Sequence, residues 1–190
     1  MSAGELTKAG MLRNPNGAVI SECGNYRYWL HRSWPIGIGW TVFVMLNPST
    51  ADADKDDPTI RRCIQFAKGF GSKGLIVVNL FAWRATDPRT LLGYRQDYVG
   101  PENHAYIVRA CEIAAQHDVS EFGDISVSGR VICAWGTHRC ATRERVMETM
   151  GWIDVAYGEA VCLGHTMNGA PKHPLYVRGD TPLERFKGPP

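Results

Sequence analysis

Nothing in this sequence pairs two cysteines at metal-binding spacing. Its six cysteines are spread through 190 residues without a Cys-x-x-Cys pair, so neither a disulfide scaffold nor a zinc or iron–sulfur centre has support. Long apolar runs are also missing. The longest stretch, Ile36 to Leu46, carries two glycines and is too short to span a bilayer. Met1 to Gly17 lack the apolar segment of a secretory signal, so the expected location is the cytoplasm. Charge of one sign is scarce as well: 21 basic against 19 acidic residues leave +2. That excludes a strongly basic nucleic-acid coat but permits a local basic face. The phosphate loops GxxxxGK[ST] and GxGxxG and the nucleophile elbow GxSxG do not occur.

What remains is an ordinary globular composition, 44% hydrophobic and 21% charged, long enough for one domain over residues 1–190. Residues 1–25 read mainly as a loop-rich extension. Tyr26 to Arg32 alternates aromatic and basic residues with period two, as in a strand with one wet face. Trp40 to Leu46, Leu75 to Leu80 and Val131 to Trp135 are continuous apolar runs, the pattern of strands buried on both faces. A short strand is expected near Ala160 to Leu163. Between the strands come three helices. The first opens with Asp57 as N-cap and Pro58 at its first position. The second follows Pro101, and the third is expected over Thr137 to Met150. Alternating strands and helices define an α/β class, with three α/β/α layers and a mainly parallel sheet.

In such a sheet, ligands bind beyond the carboxyl ends of the strands. Three strands end in unusual polar groups: Asn47, Asn79, and the turn Trp135-Gly136-Thr137-His138. His173-Pro174-Leu175-Tyr176 follows the last strand. Amides, imidazole and aromatics suit a planar heterocycle better than a phosphate. Alone, Asn47 also reads as a turn residue bonding its own backbone before Pro48, Asn79 as the start of a turn, and His173 as a surface loop residue.

Five segments in one order, from Val42-Phe43-Val44-Met45-Leu46-Asn47-Pro48 to His173-Pro174-Leu175-Tyr176, resemble the uracil-DNA glycosylase superfamily. The intervening three are Asp57-Pro58-Thr59-Ile60-Arg61-Arg62, Gly74 to Asn79 with Trp83-Arg84-Ala85-Thr86, and Val131 to Gly136. The whole pattern, with Asn-Pro-Ser-Thr-Ala-Asp and His-Pro-Leu-Tyr, is more closely similar to a bacterial and phage family known only as a domain of unknown function. The superfamily resemblance implies a uracil-DNA glycosylase-like fold. It also implies a monofunctional DNA glycosylase that needs no cofactor and acts as a monomer on a pyrimidine flipped from double-stranded DNA. In that reading Asn47 orients water, His173 donates to the departing base, and Asn79 reads the base edge.

The remaining candidates surround those three. Asp52, close to Asn47 along the chain, is an alternative activator of water. Asp54 and Asp56 read as solvated, and a metal on this acidic loop is rejected because Lys55 interrupts it and the EF-hand pattern is absent. Phe81 or Trp83 stacks on the base in place of the phenylalanine that the superfamily carries before its helix. Leu175 and Tyr176 fill the vacated stack, and Lys172, Arg178 and Arg84, with Arg139 and Arg143, hold phosphates. The uracil-excising members carry a bulky aromatic after Asp-Pro that rejects 5-substituted pyrimidines. Ser49 stands there instead, a departure that opens the wall to a 5-modified pyrimidine, and excision of such bases from phage DNA would serve antiphage defence. The alternatives are a non-catalytic nucleic-acid or nucleotide sensor and an N-glycosidase acting on free nucleotides.

Overall fold

The computed structural model describes residues 14–92, 97–119 and 126–189. Its main sheet has seven strands, β1 (Asn16–Ile20), β2 (Arg27–Ser33), β3 (Trp40–Met45), β4 (Gly74–Asn79), β7 (Arg130–Cys133), β8 (Val161–Cys162) and β9 (Glu184–Arg185). They lie in the order β1-β2-β4-β3-β7-β8-β9. A separate two-stranded ladder pairs β5 (His117–Val119) with β6 (Ser126–Ser128). The described residues also form three α-helices, α1 (Pro58–Gly69), α2 (Asn103–Ala115) and α3 (Arg143–Ala156), and two short 3-10 turns, Pro88–Leu92 and Pro174–Tyr176.

The α/β class holds, but the sheet is mixed rather than mainly parallel. β4, β3, β7 and β8 run parallel, whereas β1, β2 and β9 join antiparallel. Chain length explains β2. Only residues 34–39 separate it from β3, and a parallel crossover needs roughly ten residues or more. Gly37 makes that short link fit: at φ 129°, a Cβ there would lie 2.4 Å from the Ser72 carbonyl oxygen.

Period-two alternation divides the apolar side chains between two cores, one on each face of the sheet. Phe43, Met45, Leu75 and Val77 pack with Ile60, Cys63, Phe66 and Ala67 of α1. Val42, Val44, Ile76 and Val78 pack with Tyr106, Ile107 and Ala110 of α2 and Val146 and Ile153 of α3. α1 begins as its sequence requires. The Asp57 side chain accepts from the Ile60 amide at 2.9 Å, a cap worth about 1 kcal/mol.

Four local expectations change. β2 has no wet face: Arg27, His31 and Arg32 are all buried, the two arginines under the acidic loop and His31 on the other face under Asn14 and Gly17. Arg27 donates to the Ala51 carbonyl at 2.7 Å, and Arg32 pairs with Asp56, so Asp56 is not simply solvated. Second, β1 lies inside the N-terminal segment read as loop, because Ala18-Val19-Ile20 finds an edge on β2; residues 1–13 lie outside the described residues. Third, the last helix begins six residues later than expected, because Thr142 rather than Thr137 caps it. Fourth, the short strand near Ala160 contracts to Val161–Cys162. Among the described residues, no helix is long and apolar enough to cross a membrane.

Candidate functional site

The buried runs of β3, β4 and β7 stop at their carboxyl ends around a cavity of about 740 Å³. The register aligns Met45 with Asn79. Val77 and Asn79 share one face of β4, and both line the cavity, which therefore lies on the α1 side of the sheet. Asp57, Thr59 and Ile60 bring the first turn of α1 to its wall, and Trp135 to Arg139 bring the turn after β7.

Asn79 is 1% exposed, yet neither its amide nitrogen nor its amide oxygen has a hydrogen-bond partner. Each such buried, unmet group costs about 1–3 kcal/mol. An amide left open at a cavity is therefore poised for a ligand that offers both an acceptor and a donor. The strand end that carries it is held firmly from the opposite face. Asn103 donates to the carbonyls of Asn79 and Leu80, and Arg145 donates twice to that of Leu80, at 2.8 and 2.6 Å.

Arg27 adds a cation to the same cavity. It is 2% exposed, its Nε lacks a partner, and burial lowers its pKa to about 10, so it stays charged at neutral pH. A bulge delivers it. Val19 faces Trp29 but Ile20 faces Arg27, leaving Tyr28 as an extra residue on β2. Tyr28 and Trp29 thus both enter the α2 core, and Arg27 turns to the α1 side, a common use of bulges beside binding sites.

Asn47 is tied at its amide nitrogen, which donates to the carbonyls of Pro48 (3.0 Å) and Ala85 (2.8 Å). Two carbonyls at one end assign that end as NH₂ and leave Oδ1 as an acceptor. The backbone-turn reading of Asn47 is therefore present together with its place in the cavity wall. His173 caps the short 3-10 turn Pro174–Tyr176, its Nδ1 accepting from the Leu175 amide at 3.3 Å. Nε2 must then carry the proton of the neutral ring. Burial lowers the imidazole pKa below its ordinary value of 6.5, with the charge of Asp57 opposing that shift. The result is a neutral N–H donor at pH 7. Arg62 of α1 secures this turn by donating to the carbonyls of Pro174 and Val177.

The structure brings Asn47, Ser49, Asn79, His173, Tyr176 and Arg139 to one cavity. The other candidates lie outside its lining. Asp52 turns its own loop, accepting from the amides of Asp54 and Lys55, which lower its pKa. Phe81 is core, beneath Arg145, and Trp83 packs edge-on against Tyr26 and Tyr98, so neither is placed to stack on a cavity ligand. Trp135 is the buried aromatic that reaches the lining. Arg84 donates to the Gly24 carbonyl, Arg178 pairs with Asp180, and Lys172 is exposed. Leu175, 43% exposed, stands next to Tyr176, which is 83% exposed with its ring centroid 5.6 Å from that of His173.

Sequence reasoning missed Arg27 and took Asp57 only as a cap. The signal for Arg27 was an arginine inside an otherwise aromatic strand, but simple alternation puts it on the wrong face. Away from the cavity lining, Cys162, His165 and Glu184 bring three donor atoms within 4.8 Å of one another. There His165 Nδ1 lies 3.1 Å from a Glu184 oxygen.

Fold and site together define an α/β protein with a mixed sheet and a polar cleft at the carboxyl ends of its parallel strands. More particularly, the chain belongs to the family described as protein of unknown function (DUF1643), whose model matches residues 27–175. The matched span opens on Arg27 and includes Asn47, Asp57, Asn79 and His173. No curated protein and no solved structure gives a significant match.

Proposed function

We propose that this protein is a monofunctional DNA glycosylase of the uracil-DNA glycosylase-like type, hydrolysing the N-glycosidic bond of a 5-modified pyrimidine in duplex DNA. The observation that carries this reading is Asn79, buried at the cavity with both ends of its amide unpaired. A pyrimidine edge offers adjacent donor and acceptor groups that complement one amide. Cleavage passes through an oxocarbenium-like sugar and expels the base as an anion. The neutral His173, with its proton on Nε2, suits donation to the base oxygen that gathers that charge. Asn47 Oδ1 suits the holding of water. Exposed Leu175 and Tyr176 at the mouth suit insertion into the stack left by a flipped nucleotide.

The cavity volume falls within the roughly 300–1,000 Å³ of small-molecule sites and exceeds what an unsubstituted pyrimidine fills. At the position after Asn47-Pro48 the lining residue is Ser49 and not an aromatic, which favours a substituent at C5. Excision of enlarged bases from phage genomes would spare unmodified host DNA, which fits antiphage defence in the cytoplasm.

The test incubates the protein with glucosylated, hydroxymethylated and unmodified phage DNA and with a uracil-containing duplex, then applies hot alkali and identifies released bases by mass spectrometry. The expected result is release of the substituted base and strand scission only after alkali. Equal or faster excision of plain uracil overturns the modified-base assignment. Binding without release from any DNA selects a sensor, and release from free nucleotides with no gain on duplex selects a nucleotide N-glycosidase.

A further inference from the structure

A base-excising site that hydrolyses through a cationic sugar needs a negative charge near that sugar and an acceptor for the proton of the attacking water. Asn47 meets neither need: an amide is uncharged and does not take a proton at neutral pH. Asp52 is outside the cavity lining, its Oδ1 turning its own loop. Among the described residues lining the cavity, Asp57 is the sole carboxylate.

We propose that Asp57 is the catalytic carboxylate of this site, stabilising the oxocarbenium ion and accepting the proton of water. The inference rests on the glycosylase reading. Capping alone explains an aspartate before α1, but capping uses one oxygen, the acceptor for the Ile60 amide. The other oxygen has no hydrogen-bond partner among the described residues. The surroundings add independent support, because this wall belongs to the cavity where buried Asn79 and Arg27 also keep unpaired polar atoms. The charge of Asp57 acts on both Arg27 and His173, favouring the protonated form of each. It therefore lies within electrostatic reach of both the cation and the imidazole of the site.

The step balances without a metal or co-reactant. The C1′–N bond breaks and its electron pair leaves with the base, whose anionic oxygen is held by the His173 Nε2–H. The cationic sugar carbon is stabilised by the Asp57 carboxylate. The water oxygen bonds to C1′ while Asn47 Oδ1 accepts a hydrogen bond from one of its protons, and the other proton passes to Asp57. The products are an abasic sugar with a C1′ hydroxyl and a free base that takes a proton from solvent.

Cap and chemistry are separable because Asn caps a helix about as well as Asp. Single-turnover base release, melting temperature and duplex binding are measured for Asp57→Asn and Asp57→Ala, with formate added to the alanine variant. The expected result for Asp57→Asn is a rate lowered about 100- to 1,000-fold, with melting temperature and duplex binding close to wild type. Formate is expected to restore part of the rate of Asp57→Ala. A wild-type rate in Asp57→Asn overturns the assignment and leaves the glycosylase reading standing. A rate that falls only in proportion to lost stability, without formate rescue, returns Asp57 to a purely structural cap. No release by the wild-type protein from any substrate overturns the glycosylase reading, and the assignment with it.

Discussion

The carboxyl end of β4 is treated in opposite ways on its two faces. On the side of α2 and α3, the carbonyls of Asn79 and Leu80 at the end of the ladder are met by donors from buried Asn103 and Arg145. On the side of α1, buried Asn79 and Arg27 keep polar atoms unpaired around a cavity. The contrast is one of degree at Asn103, which leaves its own Oδ1 unpaired while using its nitrogen twice. One face uses polar side chains to hold backbone; the other holds them in readiness. Buried polarity is costly in both places, but only on the first face does the protein itself offset most of the cost.

The sharpest way to break this comparison is to remove the polar group from each face. Asn79→Leu deletes a side chain that bonds to nothing in the protein, so unfolding free energy should stay level or rise by about 1 kcal/mol. Base release should fall about 100- to 1,000-fold. A loss of stability in urea unfolding would place Asn79 with the structural groups. Arg145→Met should do the reverse. It strips the Leu80 carbonyl of two donors, costing about 2–3 kcal/mol, while the protein that remains folded keeps its base-release rate.

A smaller effect should follow pH. Trp29 Nε1 donates to His31 Nδ1, and His31 Nε2 faces the Asn14 carbonyl at 3.0 Å. The ring is therefore satisfied only when neutral, and burial lowers its pKa below 6.5. Between 6.5 and that lowered value the unfolded chain binds a proton that the folded chain refuses. Stability should thus be level above pH 7 and fall as pH drops below 6.5, by at most about 1.4 kcal/mol per unit for His31. Urea unfolding at pH 7.5 and 5.5 checks it, and His31→Gln should reduce the difference to the part due to His173. His173, also lowered by burial, should make base release fall over the same direction of pH. The smallest effect belongs to Asp52→Ala, which should leave base release unchanged because that carboxylate turns its loop outside the cavity lining; a large loss would move the catalytic carboxylate from Asp57 to Asp52.

Much of this arrangement is legible along the chain. Continuous Val, Ile and Leu runs define β3, β4 and β7 because a doubly covered strand tolerates no wet position. The polar residue that ends each run, Asn47 or Asn79, then falls where ligands of α/β sheets bind. Asp57-Pro58 is a local signal, satisfied within one turn of helix. β2 was harder to read, since its arginines imitate a solvated face until the acidic loop from β3 folds over them. Phe81 and Trp83 shared the β4 end with Asn79, but neighbours far along the chain, Arg145, Tyr26 and Tyr98, hold them away from the cavity lining.

The sequence by itself determined the α/β class, the strands that floor the cleft, and the placing of Asn47 and Asn79 at strand ends, because each depends on period, burial and turn chemistry within a few residues; His173 reaches the cavity through a turn held by Arg62. Only the tertiary structure decided the antiparallel run of β2, the bulge at Tyr28 that swings Arg27 into the cavity, and the separation of Asp57 from Asp52. Those depend on how a short loop must reverse the chain and on which face a single extra residue inverts, and neither is written in the local pattern.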